Sequence, residues 1–243
     1  MPGIALLLVI GYAGKLTEQL LRDYGFSKDD WNYTRGWMGE FSPYYQAGLK
    51  IAYAFDAHWS AQLHLLNGWQ TIGDNNRAKA VGTQLAWTSD RVAIGLNTFA
   101  GPELPGDDSH WRLFGDLTAQ VKATPWLSLG ATADAGRQDR PGEAAVWHAA
   151  ALFARFALHP RAAFSVRAEY YDDVDGFFSG APQVLREGTA TLELRPDEHL
   201  ILKIEARQDV AGARVFVGER DGAGNPTFSR TQTLAIASAV ATF

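Results

Sequence analysis

The sequence predicts an all-β chain folded as an antiparallel, up-and-down transmembrane β-barrel with about 12 strands visible, either whole or as part of a larger barrel. Three observations predict it. From residue 44 onward, apolar and polar residues alternate with a period of two over segments of about ten residues. Between these segments, short turns alternate with long polar connections. Aromatic residues gather near both ends of the segments, with small aliphatic residues between them.

Residues 45–55 set the pattern. Tyr45, Ala47, Leu49, Ile51, Tyr53 and Phe55 point one way, while Gln46, Gly48, Lys50, Ala52 and Ala54 point the other. After a turn at Asp56–His58, Trp59, Ala61, Leu63 and Leu65 alternate with Ser60, Gln62, His64 and Leu66. Val81 to Trp87 and Val92 to Leu96 repeat the design. Residues 111–122 are the clearest case: Leu113, Gly115, Leu117, Ala119 and Val121 oppose Arg112, Phe114, Asp116, Thr118, Gln120 and Lys122. Segments beginning at Leu127, Leu152, Phe164, Thr189 and Leu200 follow the rule. Only the last, about 229–243, is ambiguous, because Leu234 and Ile236 share one face while Ala235, Ala237 and Phe243 share the other. The count from residue 44 is eleven strands.

Short turns fall near residues 57, 89, 124, 159 and 197, and long polar segments at 70–77, 101–110, 136–145, 172–186 and 208–228. All the short turns lie on the side of the C-terminus. In a bacterial outer-membrane barrel that side is periplasmic and the long loops are extracellular. Phe55, Trp59, Trp87, Trp126, Phe156 and Phe164 form the expected belt beside the short turns, and Tyr45, Trp69, Phe99, Trp111, Trp147 and Tyr170 the belt beside the long loops. A soluble sandwich would also alternate, but it has no cause for one-sided turns or for a band this rich in Ala.

The chain divides into residues 1–43, a strand remnant or short helix plus loop, and residues 44–243, the hairpin repeats. Residues 3–13 are apolar, but no Lys or Arg precedes them and Ala13-Gly14 is a poor cleavage site, so they read as a strand or short buried segment ahead of a signal peptide. Leu16, Leu20 and Leu21 share one helical face. Gly14-Lys15 lacks the upstream Gly and following Ser or Thr of a phosphate-binding loop.

Composition sets the outer bounds. The 243 residues are 47% hydrophobic and 20% charged, with a net charge of −5, which opposes nucleic-acid binding. Without Cys there is no disulfide, thiolate nucleophile or zinc–cysteine site. Mean hydropathy is −0.16, and no uncharged run is long enough for a membrane-spanning helix.

Several stretches resemble the OmpL-like β-barrel porin family: WNYTR at Trp31–Arg35, YYQAGLKIAY at 44–53, LLNGW at 65–69, AEYYDDVDGFFSG at 168–180 and PQVLREGTATLELRP at 182–196. The resemblance covers roughly residues 30–243. It implies an outer-membrane, porin-like barrel in contact with lipid and lipopolysaccharide, and it supplies no functional residues to transfer. Members are longer, with a signal peptide and strands upstream, so the chain reads as truncated at its start. Because single-chain bacterial barrels have even strand counts, eleven strands call for one more, which residues 3–14 would supply.

The face opposite the apolar one carries Lys50, Arg112, Asp116, Lys122, Asp134, Arg155, Arg167, Glu169, Glu193, Arg195, Lys203, Glu205 and Arg207. These are the candidate pore-lining residues. Opposed charges there would focus a field across a water-filled lumen, or pairs such as Arg167 with Glu193 would neutralise each other in a narrow barrel. Basic residues outnumber acidic ones in this set, which leans toward anions. Glu169 and Glu193 are also what a polar lumen would carry, so they do not define a glycosidase pair. Asp172, Asp173, Asp175 and Gly176 lack the spacing of a calcium loop and read as a turn. No His pair has metal-ligand spacing, and no GxSxG elbow occurs. The sequence therefore predicts a porin-like channel for passive diffusion of small polar solutes or ions, with no cofactor and no catalytic residue. A closed-lumen structural or surface-binding barrel is the alternative, and a barrel enzyme the less favoured one.

Overall fold

A computed structural model describes residues 4–9 and 30–241. The stretch 15–24 read as helical and the signal-like cleavage site lie outside the described residues. Fourteen strands and one short helix are present among them: β1 (Ile4–Val9), α1 (Trp37–Phe41), β2 (Gly48–Ala54), β3 (Trp59–Leu66), β4 (Ala80–Thr88), β5 (Val92–Pro102), β6 (Trp111–Lys122), β7 (Leu127–Asp139), β8 (Ala144–His159), β9 (Ala162–Asp173), β10 (Gln183–Asp197), β11 (Leu200–Ala211), β12 (Phe216–Arg220), β13 (Pro226–Ser229) and β14 (Thr231–Ala241). Twelve of these strands form one antiparallel sheet in chain order, β1 through β11 and then β14, while β12 and β13 make a separate hairpin. The apolar stretch near the start does supply a strand: Ile4 to Val9 pair with Tyr53 to Gly48.

Two unlike faces follow from the period of two. On β6, Leu113 and Leu117 are about half exposed, whereas Arg112, Asp116 and Thr118 between them are buried. Across the sheet the same split holds: Leu63, Leu85, Leu96, Leu152 and Ile204 lie on the outer surface, and Gln84, Asn97, Arg167, Glu193 and Glu205 face inward. A soluble protein would reverse this. Here the apolar surface is the one that meets lipid, and neighbouring strands pair along most of their length, as a bilayer demands.

The register explains how aromatic rings fit inside the wall. Trp147 pairs with Gly136 and Phe153 with Gly130 on the adjacent strand. A Cβ at Gly136 would overlap the Trp147 indole, so glycine there lets the ring lie flat along the sheet.

Two sequence expectations are corrected and one ambiguity is resolved. The connections assigned to 101–110, 136–145, 172–186 and 208–228 are shorter, because β5, β7, β8, β9, β10 and β11 run into them. Their added inward positions are polar (Gln138, Asp173, Gln183, Glu187 and Asp209), so apolar contrast fades while strand pairing continues. The belt beside the long loops is only partly external. Trp111 and Tyr170 face outward, but Trp69, Phe99 and Trp147 are buried inside, Phe99 sharing the parity of Asn97 and Trp147 that of Phe153. The opposite belt is continuous where Trp126, Phe156 and Phe164 follow one another with ring centroids 6.4 Å apart. Finally, pairing with β11 resolves the last strand: Ala235, Ala237 and Ala239 share the outer face with Ala206, Ile204 and Leu202, and Leu234, Ile236 and Val240 turn inward.

The membrane reading makes a depth-dependent prediction. Leu152, in the middle of β8, and Leu158, at its short-turn end, are 65% and 63% exposed. Leu152→Arg should destabilise the folded barrel by about 2–4 kcal/mol and Leu158→Arg by about 0–1 kcal/mol, measured by denaturant unfolding in lipid vesicles. Equal effects would oppose a bilayer around this face.

Candidate functional site

The lumen is not an empty tube. Residues 30–41, the connection leading to β2, run inside it along the wall formed by β9, β10 and β11, and Asp30, Asn32 and Met38 are buried there. Only the last five residues of this segment are helical, so most of its backbone polar groups need partners from elsewhere. The wall provides them. Lys203 Nζ donates to the carbonyl of Asp30. Glu205 accepts from the amides of Tyr33 and Thr34 at 2.6 and 2.9 Å. Arg207 donates to the carbonyl of Arg35, and Arg167 to that of Thr34 at 2.7 Å. Glu169 accepts from the amides of Trp37, at 2.8 Å, and Met38. The segment thus climbs the wall rung by rung, with cations taking its carbonyls and carboxylates its amides.

Side chains reinforce the docking. Asn32 donates to Thr191, which donates in turn to Glu205 at 2.6 Å. A Cβ at Gly36 would strike the Glu169 carboxylate, so this position must be bare. Near the long loops, Trp37, Met38 and Phe41 pack into a cluster with Trp147, Tyr171, Leu185, Phe178 and Phe216. Phe41 meets Tyr171 edge-on at 4.9 Å and Phe178 in a stack at 5.3 Å. Asp173 holds the β9–β10 loop by accepting from the amides of Phe177, Phe178 and Ser179. This is the turn role read for the acidic stretch, and no metal-binding group of His, Asp or Glu occurs among the described residues. Beyond α1, Arg35 lies over the Tyr44 ring at 4.1 Å, and burial, then Glu40, pushes the Tyr44 hydroxyl up to about 12.

The other candidate residues fall into separate groups. Arg155 and Arg195 bind Glu193 at 2.8 and 2.9 Å, with Lys203 at 3.7 Å. Arg167 pairs with Glu187, not with Glu193, at 2.8 Å, because β9 and β10 are registered with Arg167 opposite Thr189. Arg207 pairs with Asp209 at 2.8 Å. Arg112 is held by Gln138 at 2.9 Å and lies 5.2 Å from the Trp69 and Phe177 rings. Asp116 ends a chain of amides crossing four strands: Gln62 donates to Gln84 at 2.6 Å, Gln84 to Asn97 at 3.0 Å, and Asn97 to Asp116 at 2.6 Å, with Thr132 donating from β7. Asp134 is buried beside it. Lys50 and Lys122 instead border a polar cavity of about 490 Å³ between β2 and β6, on the wall that the segment leaves uncovered.

Sequence reasoning missed Glu187, Asp209 and the docked segment. Glu187 and Asp209 continue the inward parity of Thr189 and Arg207, so extending the strands by two residues would have found them. With them counted, acids nearly match bases, and ion preference depends on which charges border open volume.

A run of twelve antiparallel, lipid-facing strands around a charged, partly filled interior defines an outer-membrane barrel of the porin type. A family model described as "Putative beta-barrel porin-2, OmpL-like" matches residues 23–243, and the chain belongs to that family of the bacterial outer membrane. Among solved structures it is similar to an anion-selective porin from Comamonas acidovorans, with a TM-score of 0.62 and 13% identity over 79% of this chain and 59% of that porin. It is also similar to a loop-deletion mutant of OmpT, an outer membrane protein of Vibrio cholerae, with a TM-score of 0.59 and 9% identity over 98% of this chain and 74% of that one. These likenesses are of fold. No curated protein is matched by the sequence.

The buried pair yields a stability prediction. Glu187→Ala strands the Arg167 guanidinium, whose side chain is 1% exposed, and should cost about 3–5 kcal/mol. Arg195→Ala, at 40% exposure, should cost no more than about 1 kcal/mol. The temperature at which the compact band converts to the extended one on electrophoresis checks both.

Proposed function

We propose that this protein is a passive-diffusion channel for small polar solutes and ions. Its path follows the β2–β6 wall, residues 30–41 form its fixed constriction, and Lys50, Arg112, Asp116, Lys122, Arg155, Arg167, Glu169, Glu193, Arg195, Lys203, Glu205 and Arg207 set its field. The short turns and C-terminus face the periplasm. One observation carries the reading: among the described residues the segment hydrogen-bonds to β9, β10 and β11, and the wall from β2 to β6 is lined by lysines, amides and hydroxyls around a polar cavity. Passive diffusion requires only such a lining, and the family is one of porin-like barrels. The density of bonds to the segment favours a second reading, a barrel kept shut by it.

Conductance in planar bilayers separates the two. As a channel, the refolded protein gives discrete steps, and replacing residues 30–41 by a Gly/Ser linker of equal length raises the step size at least twofold. As a shut barrel, the intact chain is silent and only the replaced chain conducts. Silence from both, with the compact heat-modifiable form present, would overturn the channel reading. Gly36→Val, which pushes a side chain into Glu169, should shift the intact protein toward the linker variant.

A further inference from the structure

The lipid-facing wall is indented between β5 and β9. A hollow of about 580 Å³ opens there, and most of its lining is outward-facing and apolar, with Ala119, Ala131, Ala154 and Ala168 beside the longer Ile94 and Leu152. In a bilayer such a hollow gains nothing from leaving water, because lipid chains are as apolar as leucine. What it offers is shape. A chain lying in it makes close contacts that a chain on a flat wall forgoes.

A polar ledge stands above the hollow, toward the long loops. Outward positions of β7, β8, β9 and β10 carry Arg137, His148, Tyr170 with Asp172, and Arg186. Tyr170 is one outward position beyond Ala168, and His148 two beyond Leu152, which is about 7 and 14 Å along the strands. Register sets Tyr170 opposite Arg186, and Asp172 opposite His148. The Tyr170 hydroxyl donates to Asp172 at 3.2 Å, His148 lies 3.5 Å from the same carboxylate, and Arg137 binds Asp139 at 2.7 Å. Arg186 differs. It lies 5.8 Å from the Tyr170 ring and makes no ion pair among the described residues. An arginine facing lipid is tolerated near the interface and costs more with depth, so this guanidinium calls for an anion from the membrane itself. Its N–H groups form a planar fork that matches the oxygens of a phosphate. Gly188, the next outward residue below it, adds no side chain, and the space where a Cβ would stand is open.

We propose that this face holds one lipopolysaccharide of the outer leaflet, with a lipid phosphate on Arg186 beside Tyr170 and an acyl chain laid in the hollow between β5 and β9. The head supplies the selectivity through charge, and the hollow supplies packing for the chain beneath it. The proposal does not depend on conduction through the lumen. It rests on the long-loop end facing outward, as proposed above.

Native mass spectrometry of the refolded barrel in detergent, titrated with lipid A, tests it. Wild type should retain one lipid A at saturation, and Arg186→Gln should weaken retention about fivefold. Lipid A stripped of its phosphates should bind more weakly and should not distinguish wild type from Arg186→Gln. Ala168→Phe, which fills the hollow from an outward position, should also weaken retention. Phosphatidylglycerol, with a single phosphodiester and two chains, should be held less tightly than lipid A. Retention by folded protein that ignores Arg186→Gln, or ignores loss of the phosphates, overturns the site. Equal or tighter retention of phosphatidylglycerol overturns lipopolysaccharide as its occupant. Arg186→Gln should leave the single-channel step unchanged, so loss of the lipid site and loss of the channel are read separately. The chain has no Cys, so Glu143→Cys, in the exposed β7–β8 loop, gives a single label. It should react with a membrane-impermeant maleimide on intact cells. Reaction only after the outer membrane is opened would put the ledge in the inner leaflet and overturn this occupant, leaving the channel in place.

Discussion

An irregular stretch of backbone inside a barrel must have its amides and carbonyls bonded, and this constraint organises the whole lumen. Residues 30–38 form no strand and only the start of a helix, yet all of them are buried or half-buried. Leaving such groups unsatisfied costs about 1–3 kcal/mol each, so the wall must carry donors and acceptors at matching heights. A β-strand delivers inward side chains two residues apart, about 6.6 Å in rise. The inward positions of β11 answer with Lys203, Glu205, Arg207 and Asp209, alternating in sign, and β9 adds Arg167 and Glu169. Their alternation matches the alternation of carbonyl and amide along the segment. What looks in the sequence like a set of pore charges is in large part a backbone-binding surface.

The same period that builds this surface builds the lipid face, and the two compete for the strand's composition. Inward charges such as Lys50, Glu193 and Lys203 are flanked by outward Leu or Ile, so a single residue of slippage would put charges into lipid and leucines against the segment. Glycine relieves the remaining crowding. Gly136 clears Trp147, and Gly36 clears Glu169 from the opposite direction, one on the wall and one on its guest.

Much of this was legible in the sequence. The strand count from residue 44, the alternation of short and long connections and the parity of all thirteen charges considered follow from local alternation, and the twelfth strand near the start from the even count of bacterial barrels. Alternation depends only on which side of a strand a residue occupies, and it therefore survives without tertiary information. What it cannot carry is pairing. Arg167 and Glu193 lie on neighbouring strands with the correct parity, but register puts Glu187 within reach of Arg167 and leaves Glu193 to Arg155 and Arg195. Nor could the docked segment be read from WNYTRGWMGEF, because its partners lie more than 130 residues away in the chain and bind chiefly its backbone. A backbone-directed contact leaves almost no signature in the residues that receive it. Gly36 is the exception, since it is required by the carboxylate it faces.

Charge balance in the lumen is consequently a question of location. Counted as a set, the inward charges nearly cancel, and a count predicts no preference. Once the segment is docked, Glu169 and Glu205 are turned toward its amides, and Glu187, Glu193 and Asp209 toward arginines. A carboxylate held between several donors projects far less field into open volume than its formal charge implies, because its donors are oriented dipoles or cations within about 3 Å. These five acids sit on the filled side and are compensated there, while Asp116 and Asp134 lie on β6 and β7. Lys50, Arg91 and Lys122 line the polar cavity between β2 and β6. By binding Glu169 and Glu205, the segment takes up two of the wall's carboxylates at its own amides.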